Sequence, residues 1–166
     1  MSQLLYFEQQ DFAFANAVVV LDVDGTIVPD AGQVAPPEAV AKVNEIKSRG
    51  NEICLCSNSR RGNYAERLAM LGAQLQVSIC PVLFRKPSLQ AIASLERKGR
   101  PMVVIGDKDL TDGLLARRAG ARFIKVRRKL DPADRLSSRM ANVIDIVFGP
   151  PAVLIWDALS ALSIRL

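Results

Sequence analysis

Residues 17–23 (AVVVLDV) form a short, nearly continuous β-branched run, the pattern of a strand buried on both faces of a parallel sheet. Pro36-Pro37 then opens a segment in which Val40, Val43 and Ile46 recur three apart until Gly50, which predicts a helix of about three turns. The alternation repeats. Residues 52–56 read as strand, 63–71 as helix ended by Gly72, 77–82 as strand and 88–98 as helix ended by Gly99. Residues 102–105 read as a fourth strand, 110–119 as a helix ended by Gly120, and 122–126 as a fifth strand. This βα rhythm predicts an α/β fold: a doubly wound, Rossmann-like parallel sheet of about five strands with helices on both faces. No repeat or long Gly/Ser linker divides the chain, so residues 1–166 are expected to form a single domain.

Ligands of such sheets bind beyond the carboxyl ends of the strands. Polar clusters sit at four of those ends: Asp22-Val23-Asp24-Gly25-Thr26, Ser57-Asn58-Ser59, Lys86-Pro87, and Gly106-Asp107 through Asp112. All four are expected at one rim. The chain has 0 histidines, which removes Ser-His-Asp and Cys-His hydrolases, zincins and His-based metal sites. Chemistry therefore falls to carboxylates, Lys, Arg, hydroxyls and Cys.

Asp22 and Asp24 leave a buried strand two residues apart, and unpaired buried carboxylates lose several kcal/mol of hydration. They ask for a cation. With a third carboxylate from Asp107 or Asp112 they offer the hard oxygen ligands that Mg²⁺ prefers, leaving room for water and a substrate phosphate. A carboxylate beside such a metal can attack phosphorus, while the other protonates the leaving oxygen and then activates water. Ser57 and Lys86 suit the phosphoryl oxygens. Taken singly, each has a plainer reading: an Asx-turn at Gly25, a helix cap at Ser57, a surface lysine at 86, a first-turn helix acid at Asp112. What favours the site is that all of them occur in order.

These four clusters resemble the motifs of the haloacid dehalogenase superfamily of phosphohydrolases, over roughly residues 18–126. The resemblance implies Asp22 as nucleophile and Asp24 as general acid and base. It implies Thr26, Ser57, Asn58 and Lys86 around the phosphate, with Thr26 positioning a flap. Mg²⁺ would be held by Asp22, the backbone carbonyl of Asp24, and Asp107, with Asp112 a ligand or just behind one, and Asp109 exposed. Substrate choice in this superfamily follows inserted cap domains, and neither gap between motifs has room for one. The rim is therefore expected to be open, or covered by another subunit. Lys86-Pro87 with Gly106-Asp107 and Leu110-Thr111-Asp112 is similar to the phosphatidylglycerophosphate phosphatase branch, which implies a lipid phosphate. A small soluble sugar or nucleotide phosphatase closed by oligomerisation, and a non-catalytic binding module on the same scaffold, are the alternatives.

Formal charge is +5, with pI ≈ 9.4, a bias toward anionic partners. Arg122, Lys125, Arg127, Arg128 and Lys129 cluster near the fifth strand, either as a solvated face or facing acidic headgroups. The partners expected are a phosphate monoester and, left open, an anionic membrane surface or a second copy of the chain. No aromatic stacking run accompanies the charge, so no nucleic-acid partner is expected. Cys54, Cys56 and Cys80 are expected in the core without chemistry. The start lacks a basic leader, and residues 146–156 are uncharged but interrupted by Gly149-Pro150-Pro151, so neither a signal peptide nor a membrane-spanning helix is expected. A cytoplasmic location, peripheral to a membrane at most, follows. The early aromatics Tyr6, Phe7, Phe12 and Phe14 and a second apolar helical pattern over 153–162 either cover the sheet or present a dimer or monotopic membrane face.

Overall fold

The computed structural model describes residues 4–30, 32–59, 63–81, 83–132 and 136–163. Five strands, β1 (Val18–Leu21), β2 (Glu52–Leu55), β3 (Ser78–Ile79), β4 (Met102–Gly106) and β5 (Arg122–Lys125), form one sheet in the order β3-β2-β1-β4-β5. Every pairing is parallel. β1 lies in the middle with both faces covered, which is why its four residues are all apolar.

Helices cover both faces. Val19, Leu21, Ile53, Leu55, Val103 and Ile105 point to one side and pack with Phe7 and Phe12 and with the apolar stripes of α1 (Pro37–Ser48) and α2 (Tyr64–Leu75). Val18, Val20, Cys54, Met102 and Val104 point to the other, against a 3₁₀ turn at Leu89–Ile92 and α3 (Leu114–Arg118). The α/β, Rossmann-like expectation holds. The three cysteines are buried in this second cluster, as expected, with Cys54 Sγ 2.9 Å from Cys80 Sγ.

Several elements differ from the sequence reading, each for a local reason. Gly72 does not end α2; it lies inside it, where a Cβ would meet Ile79 at 3.0 Å, and the helix ends at Gln76 in the left-handed region. The third strand is shorter than 77–82 because it pairs only with β2 at the sheet edge, and Val82 lies outside the described residues. In place of a helix over 88–98 there is only the 3₁₀ turn, which buries Ala91 and Ile92; beyond it Arg97 reaches the carbonyl of Ala119. The helix expected over 110–119 begins instead with a π-helical turn, Asp109–Gly113, before α3.

The largest departure is α4 (Leu136–Ser163), which runs through Pro150 and Pro151 instead of starting after them. Within it, Arg139–Leu159 has mean hydropathy 1.4 and is only 11% buried. By length and composition this stretch is sufficient to cross a membrane, contrary to the expectation from residues 146–156 alone. Prolines ended the sequence pattern but not the helix.

Candidate metal and phosphate site

The winding of the chain reverses between β1 and β4, and at that switch point the carboxyl ends of the two strands deliver Asp22 and Asp107 side by side. Asp112 joins them from the π-helical turn. Widening of that turn carries its carboxyl group beneath Gly106, where any Cβ would overlap Asp112 Cγ. Carboxylate oxygens of Asp22, Asp107 and Asp112 lie within 4.8 Å of one another, and all three residues are buried.

Lys86 enters this cluster from the loop before the 3₁₀ turn. Its Nζ donates to Asp22 Oδ1 and to Asp112 Oδ1, the latter at 2.6 Å, with its side chain 2% exposed. Burial works against the ammonium charge, yet Asp112 and Asp22 hold it well above the ordinary lysine value. The Thr26 hydroxyl donates to Asp22 Oδ2 at 2.9 Å. Burial pushes the Asp22 carboxyl up, but Lys86 and Lys108, with the hydrogen bonds from Lys86 and Thr26, leave it below the usual value. Asp22 is thus held ionised.

Asp24 has the opposite setting. Burial lifts it above the usual value despite Arg67, whose Nη1 donates to Oδ1 at 2.7 Å, and Ser57, whose hydroxyl donates to Oδ2. Asp107 is raised by burial and by the Asp22 charge against Lys108 and Arg128, and Asp112 is pushed up to about 7 by burial, then by Asp22 and Asp107, against Lys86. Two carboxylates on one loop therefore have proton affinities shifted in opposite directions, the arrangement general acid–base chemistry uses.

A metal ion fits this donor set. Asp107 Oδ1 is buried with no hydrogen-bond partner, although Oδ2 of the same carboxylate accepts from Arg128. An orphaned carboxylate oxygen beside two more buried carboxylates is the donor arrangement of a hard cation.

The structure gathers every sequence-predicted residue at one rim but changes the work of several. Thr26 is fully buried against Asp22 and does not face the opening. Asn58 spends its amide on the backbone of Lys86, donating to its carbonyl at 2.9 Å and accepting from its N–H at 2.7 Å, so it braces the lysine. Ser57 is turned onto Asp24. Asp109 is not exposed; it pairs with Lys125.

Four residues escaped the sequence reading. Arg128, placed with the surface cluster, is buried and bridges Asp107 to Asp30, the latter at 2.7 Å. It crosses so closely over Gly25, where φ is +88°, that a Cβ there would collide with its guanidinium. Arg67 ties Asp24 to the loop after β1 through the carbonyl of Gly32 at 2.7 Å. Lys108 Nζ is 3.5 Å from Asp107. Asp145 of α4, 2% exposed, accepts the backbone N–H groups of Asp109 at 3.0 Å and Leu110 at 2.7 Å, fixing the start of the π-helical turn. A signal existed for three of them. Arg67 falls on the apolar face shared by Tyr64, Leu68, Leu71 and Leu75, Arg128 is two residues past buried Val126, and Asp145 stands alone in an apolar run.

No family model matches the chain. No curated protein is similar to it either. The expected membership of the haloacid dehalogenase superfamily, and of its phosphatidylglycerophosphate phosphatase branch, is accordingly withdrawn. Among solved structures, a chain in the structure of the Pnkp1/Rnl/Hen1 complex is similar at 16% identity and TM-score 0.49, over 74% of this chain and 49% of that one. This chain thus spans about half the length of that neighbour, and a likeness of that grade carries neither family nor function across.

Proposed function

We propose that this protein hydrolyses phosphate monoesters with Mg²⁺, through a phosphoryl group held transiently on Asp22. One observation carries the reading: Asp22 belongs to the buried carboxylate triad and is also bound by buried Lys86. A phosphoryl group drawn to that ammonium would rest in front of an ionised carboxylate. Asp22, Asp107 and Asp112 are the residues to hold Mg²⁺, which when bound supplies charge to the phosphoryl oxygens and screens them from Asp22.

In the first step an Asp22 oxygen forms a bond to phosphorus as the ester P–O bond breaks, and Asp24, whose proton affinity burial raises, acts as the acid that gives a proton to the leaving alkoxide. In the second, the Asp24 carboxylate takes a proton from water, which attacks phosphorus. The P–O bond to Asp22 breaks, releasing inorganic phosphate and restoring Asp22 as the carboxylate and Asp24 as the acid. Lys86 follows the phosphoryl charge throughout, and Arg67 and Ser57 keep Asp24 aimed.

Phosphate release from a panel of lipid, sugar, nucleotide and aryl monoesters, with Mg²⁺ or EDTA, tests the reading. Asp22→Asn is expected to cut turnover by more than about 10³-fold while the thermal transition persists. Retention of activity in that variant removes the covalent step, and no release from any ester removes the hydrolase reading altogether.

A further inference from the structure

The polar and apolar faces of α4 are inverted relative to an ordinary surface helix. Helices on a protein surface normally turn their apolar stripe inward and their polar residues to water. In α4 the inward stripe is Asn142, Asp145 and Gly149, continued by Ala152, Val153 and Trp156, and its anchors are polar or backbone-close. Asp145 takes two backbone N–H groups of the π-helical turn, and a Cβ on Gly149 would meet Asp109 Cβ at 2.7 Å. Asp157 pairs with Arg117 at 3.1 Å, and Arg118 lies over the Trp156 ring at 5.9 Å.

Outward, the helix shows Met140, Val143, Ile144, Ile146, Val147, Phe148, Leu154, Ile155 and Leu159, each between 48% and 68% exposed. At about 100° per residue these positions cover roughly 220° of the helix circumference. Water is a poor solvent for such a surface.

We infer that the outer face of α4 docks on an anionic lipid bilayer, with the helix lying in the plane of the interface. Width decides the occupant. A helix from a second copy covers a stripe of about 100° and leaves the rest of the arc in water, whereas immersion at the acyl boundary covers more than half the circumference. Orientation follows from the anchors: contacts from Asp145 to Asp157 hold one side of the helix along the domain, so it cannot pass end-on through the bilayer while they persist. The formal charge of +5 over the whole chain favours anionic headgroups over neutral ones. The surface lies beside the rim, since Asp145 braces the turn carrying Asp112 and Arg118, beneath Trp156, donates to the carbonyl of Pro87 next to Lys86. This inference stands whether or not the site is a hydrolase.

Trp156 is the single tryptophan of the chain, so its fluorescence reports on α4 alone. The full chain is mixed with phosphatidylcholine vesicles with and without phosphatidylglycerol, and binding is read by flotation and by Trp156 emission, with brominated acyl chains as quenchers. Flotation is expected, strongest with phosphatidylglycerol, with little quenching of Trp156, which lies on the side of α4 turned to the domain. Val147→Glu with Leu154→Glu, both on the exposed side of α4 opposite the anchors, should weaken flotation at least tenfold while far-UV circular dichroism and Mg²⁺-induced stabilisation are kept.

Several results overturn the proposal. One is a wild type that does not float, or a double variant that floats equally well. Another is a lipid-free dimer that the double variant converts to monomer without any vesicle binding, which assigns the face to a second copy. The third is protein that alkaline carbonate cannot release from membranes of expressing cells, which replaces in-plane docking with a spanning helix. Equal binding to both vesicle types overturns the anionic preference.

Discussion

Asp112 shows how a residue's chemistry depends on a neighbour that has no side chain. Its carboxyl group occupies the space a Cβ at position 106 would fill, and only there does it reach both Lys86 and the oxygens of Asp22 and Asp107. Gly106→Ala is therefore a displacement of Asp112 made from behind. Because Gly106 ends a strand buried along its whole length, the overlap cannot be relieved toward solvent, and a destabilisation of about 1–3 kcal/mol is expected in urea unfolding. The sharper expectation concerns metal: the rise in melting temperature on adding Mg²⁺ should shrink as far as it does in Asp112→Ala. Undiminished stabilisation in both variants would leave Asp112 outside the ligand set.

At the scale of elements, sheet and site were legible for a common reason. Strands buried on both faces need continuous apolar runs, so a carboxylate that breaks such a run at its carboxyl end stands out, and Asp22 and Asp107 were found that way. The turns that aim the carboxylates were not legible, because their geometry is imposed by distant residues. Nothing local in 109–113 specifies a π-helical turn; its first two N–H groups are satisfied by Asp145, 36 and 35 residues onward. Likewise Arg128 was grouped with its basic neighbours, since adjacency in sequence says nothing of which one turns inward to Asp107 and Asp30. Asp145→Ala leaves two partly buried donors without this acceptor and is expected to cost about 1–3 kcal/mol, whereas Asp145→Asn keeps an acceptor oxygen and recovers part of that. If the loss is transmitted through the turn, activity and Mg²⁺ affinity fall with it in the alanine variant and return partly in the asparagine variant. Equal stability of the alanine variant and wild type would show that α4 does not hold the turn.

Over the whole molecule, the buried carboxylates make folding, protons and metal one linked equilibrium. Asp112, raised to about 7 from an ordinary 3.8, keeps its proton in the folded chain over a pH range where the unfolded chain has lost it. The folded state then binds more protons than the unfolded one, so without metal this group's contribution to stability is present below about pH 4 and is lost as pH rises through about 7. Asp24 and Asp107, also raised, act in the same sense; Asp22, lowered, acts oppositely, its contribution present above the ordinary aspartate value and lost as pH falls below it. A divalent cation reverses the balance around Asp112, because only the ionised carboxylate is a ligand and binding must release the proton. In EDTA the melting temperature is thus expected to decline from weakly acidic to neutral pH, while the increment produced by Mg²⁺ grows over the same range and levels off above about pH 7. Asp112→Asn removes the titrating group and should flatten both trends, which separates this linkage from pH effects elsewhere in the chain. A Mg²⁺ increment independent of pH in the wild type would mean that the cation does not compete with the Asp112 proton, and Asp107, with its unpartnered oxygen, would then be left with Asp22 as the anchor of the site.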